Sequence, residues 1–120
     1  MAYDENNIFA KILRGEIPCT KLYEDDFALA FRDIRPAAPI HVLVIPKGKY
    51  ISIADFGAQA SPAEITGFFH AVSLVAKQVG AEENGYRLIS NAGPDSHQEV
   101  PHFHVHILAG RKLGPLLTAP

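Results

Sequence analysis

The chain has 120 residues, of which 48% are hydrophobic, and a formal net charge of −2; this predicts one domain over residues 1–120 with its own core. The charge gives no reason to expect nucleic-acid or membrane binding, and no apolar run reaches the ~18–20 residues that span a bilayer. Cys19 is alone, which excludes an intrachain disulfide, and the start "MAYDENNIFA" lacks a secretory pattern, so we expect a cytoplasmic protein.

The first half of the chain predicts a short helix followed by three strands. In "NNIFAKILRGEIP", Asn6 or Asn7 can cap a helix with an apolar stripe that stops at Gly15. "TKLYEDDFALAFRDI" predicts two short strands joined by an acidic turn at residues 24–26. "HVLVIPK" is a nearly continuous apolar run, which predicts a buried central strand that ends at Pro46.

The second half predicts one long helix and two further strands. Ser61, Pro62 and Glu64 have the spacing of an N-cap, a first helical residue and a capping box. Apolar residues then recur at helical spacing until Gly80, which can end the helix. "GYRLIS" predicts a strand, "NAGPDSHQE" a polar loop and "PHFHVHILAG" the last strand. This order predicts an α+β fold with a largely antiparallel sheet.

Three of the six histidines occupy alternate positions in the last predicted strand. Because side chains alternate between strand faces, His102, His104 and His106 share one face at intervals of roughly 6.5–7 Å, and the apolar residues between them face the core. A plain surface strand would carry Thr, Ser, Lys or Glu there. The spacing leaves two chemistries open: a metal site with His41 or His97 as a further ligand, or a histidine nucleophile with helpers.

The chemistry-bearing stretches resemble one known family. "HFHVHIL" matches the His-φ-His-φ-His-φ-φ signature of the histidine triad (HIT) hydrolases, where φ is apolar. "IFAKILRGEIP" resembles the family's N-terminal helix, "LAFRDIRPAAPIHVLVIPK" its ribose-binding strands and "NAGPDSHQEVPHFHVHILAGR" its phosphate loop and active strand. The likeness runs from about Asn7 to Arg111, and the Gly-Arg after the motif is similar to the nucleoside phosphoramidase (Hint) branch.

The resemblance implies a homodimer with a ten-stranded sheet, to which each protomer contributes five antiparallel strands, one long helix and one short helix. It also implies hydrolysis of purine nucleoside 5′-phosphoramidates and related NMP-X substrates through a nucleotidyl-histidine, with release of AMP or GMP. His104 would be the nucleophile, with His102 and His106 flanking it to position the phosphate and the imidazole. His41 would be a fourth active-site histidine. No metal or other cofactor is implied.

The resemblance further implies a nucleotide-binding set. Its members are Asp33 and Ile34 at the ribose, Ile8, Phe9, Ile12 and Phe31 at the base, and Asn91, His97, Gln98 and Glu99 at the phosphate. Glu99 departs from the Ser or Thr that many relatives carry. Ala10 replaces a Cys of zinc-carrying bacterial relatives, so we expect no structural metal of their kind.

Other functions stay open at this stage. The same histidines would serve a dinucleoside polyphosphate hydrolase. If Glu99 slows the reaction, the chain would be a nucleotide-binding adaptor with weak catalysis. A metallohydrolase would instead use His102, His104 and His106 as ligands.

Overall fold

The computed structural model describes residues 2–118, in which five strands form one antiparallel sheet. The strands are β1 (Lys21–Glu24), β2 (Ala28–Arg32), β3 (Ile40–Pro46), β4 (Tyr86–Ile89) and β5 (Val105–Ala109). Their spatial order is β1-β2-β3-β5-β4, and all neighbouring pairs are antiparallel. The predicted α+β fold with a five-stranded antiparallel sheet is confirmed.

Three helices accompany the sheet: α1 (Ile8–Leu13), α2 (Ile53–Gln59) and α3 (Pro62–Gln78), with 3-10 turns at Ala81–Glu83 and Pro94–Ser96. Both helices that the sequence predicts begin as expected, because Asn7 caps α1 and Ser61 forms a capping box with Glu64 at the start of α3. Within residues 2–118, no helix combines the length and the hydropathy that a membrane crossing requires.

The second short helix, α2, was not predicted. It carries its own capping box, in which the backbone N–H of Ser52 donates to Asp55 and the Ser52 hydroxyl accepts from the first turn. The helix has only one buried residue, Phe56, and contains Gly57, which is a weak helix former. A helix without an apolar stripe gives no periodic signal, so only the capping residues could have indicated it.

Each face of the sheet carries its own apolar layer. Val42 and Val44 of β3 belong to the layer that packs against α3, whereas Leu43 and Ile45 belong to the layer beside α1. As predicted, the apolar residues between the histidines point into the α3 layer: Phe103, Val105 and Ile107 are buried there. Each such side chain contributes roughly 1.5–3 kcal/mol when fully buried.

The last strand is shorter than the sequence predicts. β5 begins at Val105, which pairs with Val44, so His102 and His104 precede the paired part of the strand. The backbone N–H of Phe103 donates instead to the Tyr50 carbonyl at 2.7 Å, beyond the end of β3. The histidine motif therefore lies partly in irregular backbone, where no strand pairing holds it.

Candidate active site

A cleft of about 660 Å³ brings together residues from α1, the end of β2, the start of β3, the 91–99 loop and the histidine motif. This volume is in the usual range for a small-molecule site. All the predicted site residues except His102 and Gln98 line it: Ile8, Phe9, Ile12, Phe31, Asp33, Ile34, His41, Asn91, His97, Glu99, His104 and His106.

The environment of His104 leaves one of its nitrogens ready to react. Its Nδ1 lies 2.7 Å from the carbonyl oxygen of His102, and a carbonyl only accepts, so Nδ1 carries the proton. In the neutral ring Nε2 then has a free lone pair. Burial lowers the pKa of His104, although its bond to His102 and the charges of Asp33 and Glu99 raise it in part. His104 is thus a neutral imidazole on the cleft wall with a free lone pair on Nε2.

His41 and His106 form a second hydrogen-bonded unit. The backbone N–H of Ala37 donates to Nδ1 of His41 at 3.0 Å, so a neutral His41 carries its proton on Nε2. That Nε2 lies 2.9 Å from Nδ1 of His106 and donates to it, which leaves the His106 proton on Nε2. Burial lowers the pKa of His41 and, helped by the other two imidazoles, lowers that of His106 to about 4.

Asp33 lies beside this pair. Its Oδ2 is 3.4 Å from Nε2 of His41, and its Oδ1 accepts the backbone N–H of Arg35, which holds the carboxylate at the turn after β2. The ligand atoms of Asp33, His41 and His106 all lie within 4.8 Å of one another, close enough to hold a metal ion. However, Ala37 requires Nδ1 of His41 as an acceptor, so Nε2 carries a proton and offers a metal no lone pair. The donor set fits a proton relay better than a metal site.

His102 lies behind the cleft. It is fully buried; its Nε2 donates to the Pro46 carbonyl at 2.9 Å and its Nδ1 accepts from the Tyr3 hydroxyl at 2.5 Å. Burial lowers the pKa of His102 to about 4. The prediction that the three histidines face one ligand together needs correction, because the N-terminal segment covers His102 and both of its nitrogens are bonded to protein. A metal site of His102, His104 and His106 is not assembled.

Gln98 also differs from expectation. Its Nε2 donates to the carbonyls of Ile51 and Val100 at 2.7 and 3.0 Å, and its Oε1 accepts from Gly93 at 3.0 Å. The carboxamide therefore spans the loop and ties it to the segment before α2. The sequence predicted that Gln98 binds phosphate, whereas in the structure its carboxamide holds the loop by hydrogen bonds to the backbone.

The rim of the cleft carries two charged or titratable side chains. His97 has the left-handed backbone conformation at φ 61°, and its side chain is 87% exposed. Its Nε2 lies 3.4 Å from the Glu99 carboxylate, which is 77% exposed. Because Glu99 is hydrated at the rim, it can turn from a bound phosphate. Asn91, by contrast, is partly buried in the cleft wall.

The cleft contains further residues that the sequence did not single out: Ile17, Pro18, Cys19, Arg32, Arg35, Leu43, Ser96 and Val100. Leu43 lies two residues after His41 and therefore shares its face of β3, so the strand pattern could have predicted its place in the cleft. Ile17 and Cys19, just after α1, are half-buried, and Cys19 packs against the apolar layer beside α1. Nothing in the sequence pointed to Tyr3, an isolated aromatic residue before the first helix.

A family model of the HIT domain matches residues 14–113. The chain belongs to the HIT-domain family. This confirms the resemblance that the histidine motif carries, and the signature residues His102, His104 and His106 lie inside the matched range.

Curated relatives and solved structures agree with this HIT assignment over nearly the whole chain. An uncharacterised 13.2 kDa HIT-like protein of Azospirillum brasilense is 60% identical over 97% of this chain and 95% of its own length. The purine nucleoside phosphoramidase of Escherichia coli is 44% identical over 95% of both chains. A HIT family hydrolase of Clostridium thermocellum superposes with a TM-score of 0.86 at 39% identity, covering 96% of this chain and 99% of the other.

Proposed function

We propose that this HIT protein hydrolyses purine nucleoside 5′-phosphoramidates and related NMP-X substrates through a nucleotide bound covalently to His104, and releases AMP or GMP. The observation that carries the proposal is the 2.7 Å bond from Nδ1 of His104 to the His102 carbonyl, because it leaves Nε2 unprotonated beside the cleft. The relative named purine nucleoside phosphoramidase supports the substrate class.

The first step transfers the nucleotide to the protein. Nε2 of His104 attacks the α-phosphorus, a P–N bond to His104 forms, and the P–N bond to the leaving amine breaks. A bound phosphate anion raises the pKa of nearby imidazoles, so the His41–His106 pair takes up one proton as the substrate binds, at Nδ1 of His41, whose bond from the Ala37 N–H opens. The departing amine receives that proton through Nε2 of His106, and the pair returns to its neutral state.

The second step releases the nucleotide. Water attacks the phosphorus and gives its proton to the neutral His41–His106 pair while the bond between phosphorus and His104 breaks. The nucleotide leaves with an added hydroxyl, His104 regains its lone pair, and the pair loses its proton to solvent. Each atom and proton is accounted for without a metal or a redox cofactor.

The rest of the cleft suits a nucleoside. Phe9 and Phe31 meet edge-on with ring centroids 5.6 Å apart, and together with Ile8 and Ile12 they offer an apolar wall for a purine. Asp33 stands at the turn next to this wall, where its carboxylate can accept hydrogen bonds from ribose hydroxyls. Asn91 is the remaining carboxamide of the loop that faces the cleft, and we assign it to the phosphate.

The proposal also covers the oligomeric state and the cellular location. We propose a homodimer in which two sheets join through β4, the strand at one edge of the sheet. One HIT domain over residues 1–120, of which 14–113 match the family model, would form each protomer. A cytoplasmic protein that binds neither nucleic acid nor membranes remains our expectation from the net charge and the single cysteine.

The test is turnover of a panel of AMP and GMP phosphoramidates and dinucleoside polyphosphates, with and without EDTA. We expect phosphoramidates to be the best substrates and EDTA to have no effect. His104→Ala should lower kcat roughly a thousandfold or more, because the nucleophile is lost. In the wild type, rapid quenching and mass spectrometry should detect nucleotide on His104.

The matched control is His70→Ala, since His70 is an exposed histidine on α3 outside the cleft. It should keep wild-type turnover. Activity that EDTA removes, or that persists in His104→Ala, would contradict the proposed mechanism. Tight AMP binding without turnover of any panel member would favour the adaptor, and a preference for dinucleoside polyphosphates would favour the other hydrolase.

A further inference from the structure

The segment before α1 is tied down across the back of the histidine motif. The Lys49 ammonium lies 2.6 Å from the Glu5 carboxylate, and the Arg14 guanidinium donates to the Glu5 carbonyl at 2.9 Å. The Asn7 side chain both caps α1 and donates to the Asp4 carbonyl. These bonds fix the segment at several points, so the side chain of Tyr3 is delivered to a defined place.

That place is the buried ring of His102. The Tyr3 hydroxyl lies 2.5 Å from Nδ1 of His102, and the two rings meet edge-on with centroids 5.6 Å apart. Because Nε2 of His102 donates to the Pro46 carbonyl, Nδ1 is the acceptor and Tyr3 is the donor. The Pro46 carbonyl therefore fixes the tautomer of His102, and the Tyr3 hydroxyl holds the other side of the ring as its second anchor.

His102 in turn supports the nucleophile. Its carbonyl accepts the Nδ1 proton of His104, the bond that leaves Nε2 of His104 free. Residues 102–104 precede the paired part of β5, so no ladder bond to β3 holds this carbonyl in place. The segment is anchored by the bond from Phe103 to Tyr50, by the Ser90 hydroxyl, which donates to the His104 carbonyl at 2.9 Å, and by the side chain of His102. Of these, the side chain of His102 belongs to the residue whose carbonyl holds the His104 ring.

We propose that Tyr3 is a positioning residue for the reaction, acting through His102 to hold the imidazole of His104 in its reactive orientation; this rests on the proposed function. The chain of bonds runs from the Tyr3 hydroxyl to His102, from His102 to Pro46, and from the His102 carbonyl to His104. Tyr3 lies outside the cleft that we assign to the nucleotide, so it acts on the rate of transfer and not on nucleotide binding.

The test is Tyr3→Phe in the full chain, which removes the hydroxyl and keeps the ring. Nδ1 of His102 then lacks a donor in a buried site, so the ring keeps only its bond to the Pro46 carbonyl and is free to shift together with the backbone of residues 102–104. We expect kcat to fall roughly tenfold, as for other residues that orient a reactive group, with KM and the Kd for AMP unchanged within about twofold.

A second readout is independent of turnover. In ¹⁵N NMR of the histidine rings, wild-type His102 should show a protonated Nε2 and an unprotonated, hydrogen-bonded Nδ1, and Tyr3→Phe should shift the Nδ1 signal because that nitrogen loses its hydrogen bond. The matched control is Tyr23→Phe, whose hydroxyl donates to Asp25 at the β1–β2 turn, far along the chain from the motif. It should leave both the ring signals and kcat as in the wild type.

The outcomes separate this inference from the proposed function. A wild-type protein that turns over no NMP-X substrate overturns the proposed function and the inference that rests on it. An active wild type beside a fully active Tyr3→Phe protein overturns the inference alone. Reduced thermal stability with unchanged kcat and KM would make Tyr3 a structural residue only, and it would also overturn the inference.

Discussion

At the scale of single residues, the site depends on histidines that the fold keeps neutral. His102 and His106 have their pKa lowered to about 4, chiefly by burial, and the pKa values of His41 and His104 are lowered for the same reason. Each ring has a backbone or side-chain partner that selects its tautomer. In the proposed mechanism, neutral imidazoles in a defined tautomer serve as nucleophile and relay, but their burial makes the fold sensitive to acid.

Acid should therefore destabilise this protein before its carboxylates titrate. His102 binds a proton near pH 4 in the folded protein and near pH 6.5 in the unfolded chain. Between these values the unfolded chain binds more protons, so the stabilisation is complete above about pH 6.5 and is lost as the pH falls towards 4. We expect each such histidine to add up to about 1.4 kcal/mol per pH unit to the slope of the unfolding free energy, measured with urea between about pH 7 and pH 5.

His102→Gln isolates one of these contributions. The carboxamide keeps a donor for Pro46 and an acceptor for Tyr3 but does not titrate. The slope of the unfolding free energy against pH should therefore decrease by the contribution of one histidine. His70→Gln, at an exposed position, is the matched change and should leave the slope as it is. Equal slopes in all three proteins would show that burial of His102 does not govern the acid response.

At the scale of elements, local chemistry predicted most of the fold. The caps at Asn7 and Ser61 and the apolar run of β3 were strong local signals, and these three elements formed within a residue or two of their predicted bounds. The start of β5 was missed because a period of two continues through His102 even where strand pairing has stopped. Pairing is a long-range property that one strand's sequence does not contain.

The cleft was predictable to a similar extent. The residues on its wall belong to elements that the sequence predicts, so the histidine motif and the turn at Asp33 were enough to place most of them in the cleft. His102 and Gln98 were misplaced because a buried partner decides where a polar side chain points: Tyr3 and Pro46 for His102, and Ile51 for Gln98. Those partners lie more than forty positions away in the chain, beyond the reach of any local pattern.

The junction between β5 and β3 gives a prediction at this scale. Gly110 has φ +98°, and a Cβ there would meet the Pro39 Cβ at 2.7 Å and the Ile40 nitrogen at 3.3 Å. Gly110→Ala should therefore lower the unfolding free energy by about 2 kcal/mol, from backbone strain and contact together. Urea denaturation at neutral pH measures this loss.

Gly57 provides the opposite control for the same substitution. It lies inside α2, and a Cβ there would meet nothing within 4 Å. Gly57→Ala should stabilise the protein by about 0.5–1 kcal/mol, because alanine loses less backbone entropy in a helix. Equal effects of the two substitutions would mean that the β5–β3 junction relaxes around the added methyl group.

At the scale of the whole molecule, the two edges of the sheet differ. β1 carries the charged pair Lys21 and Glu24, and its register shifts between Lys21 and Tyr23, a feature that discourages pairing with another sheet. β4 instead exposes Tyr86 and Leu88, whose exposed fractions are 40% and 46%. Its one charged residue, Arg87, donates to the Gly114 carbonyl of the same chain at 2.8 Å. An edge of this kind favours a partner strand, which is why we place the dimer contact at β4 and not at β1.

Leu88→Lys tests this placement, because two copies of a charged residue facing each other across joined β4 strands should prevent pairing. We expect the wild type to have twice the protomer mass by light scattering and Leu88→Lys to have the mass of one protomer, with an unchanged circular dichroism spectrum. Ile34→Lys is the matched control: Ile34 is 88% exposed but lies at the cleft, so this variant should remain dimeric. A monomeric wild type would remove the dimer from the proposal, whereas a dimeric Leu88→Lys would move the contact to another surface.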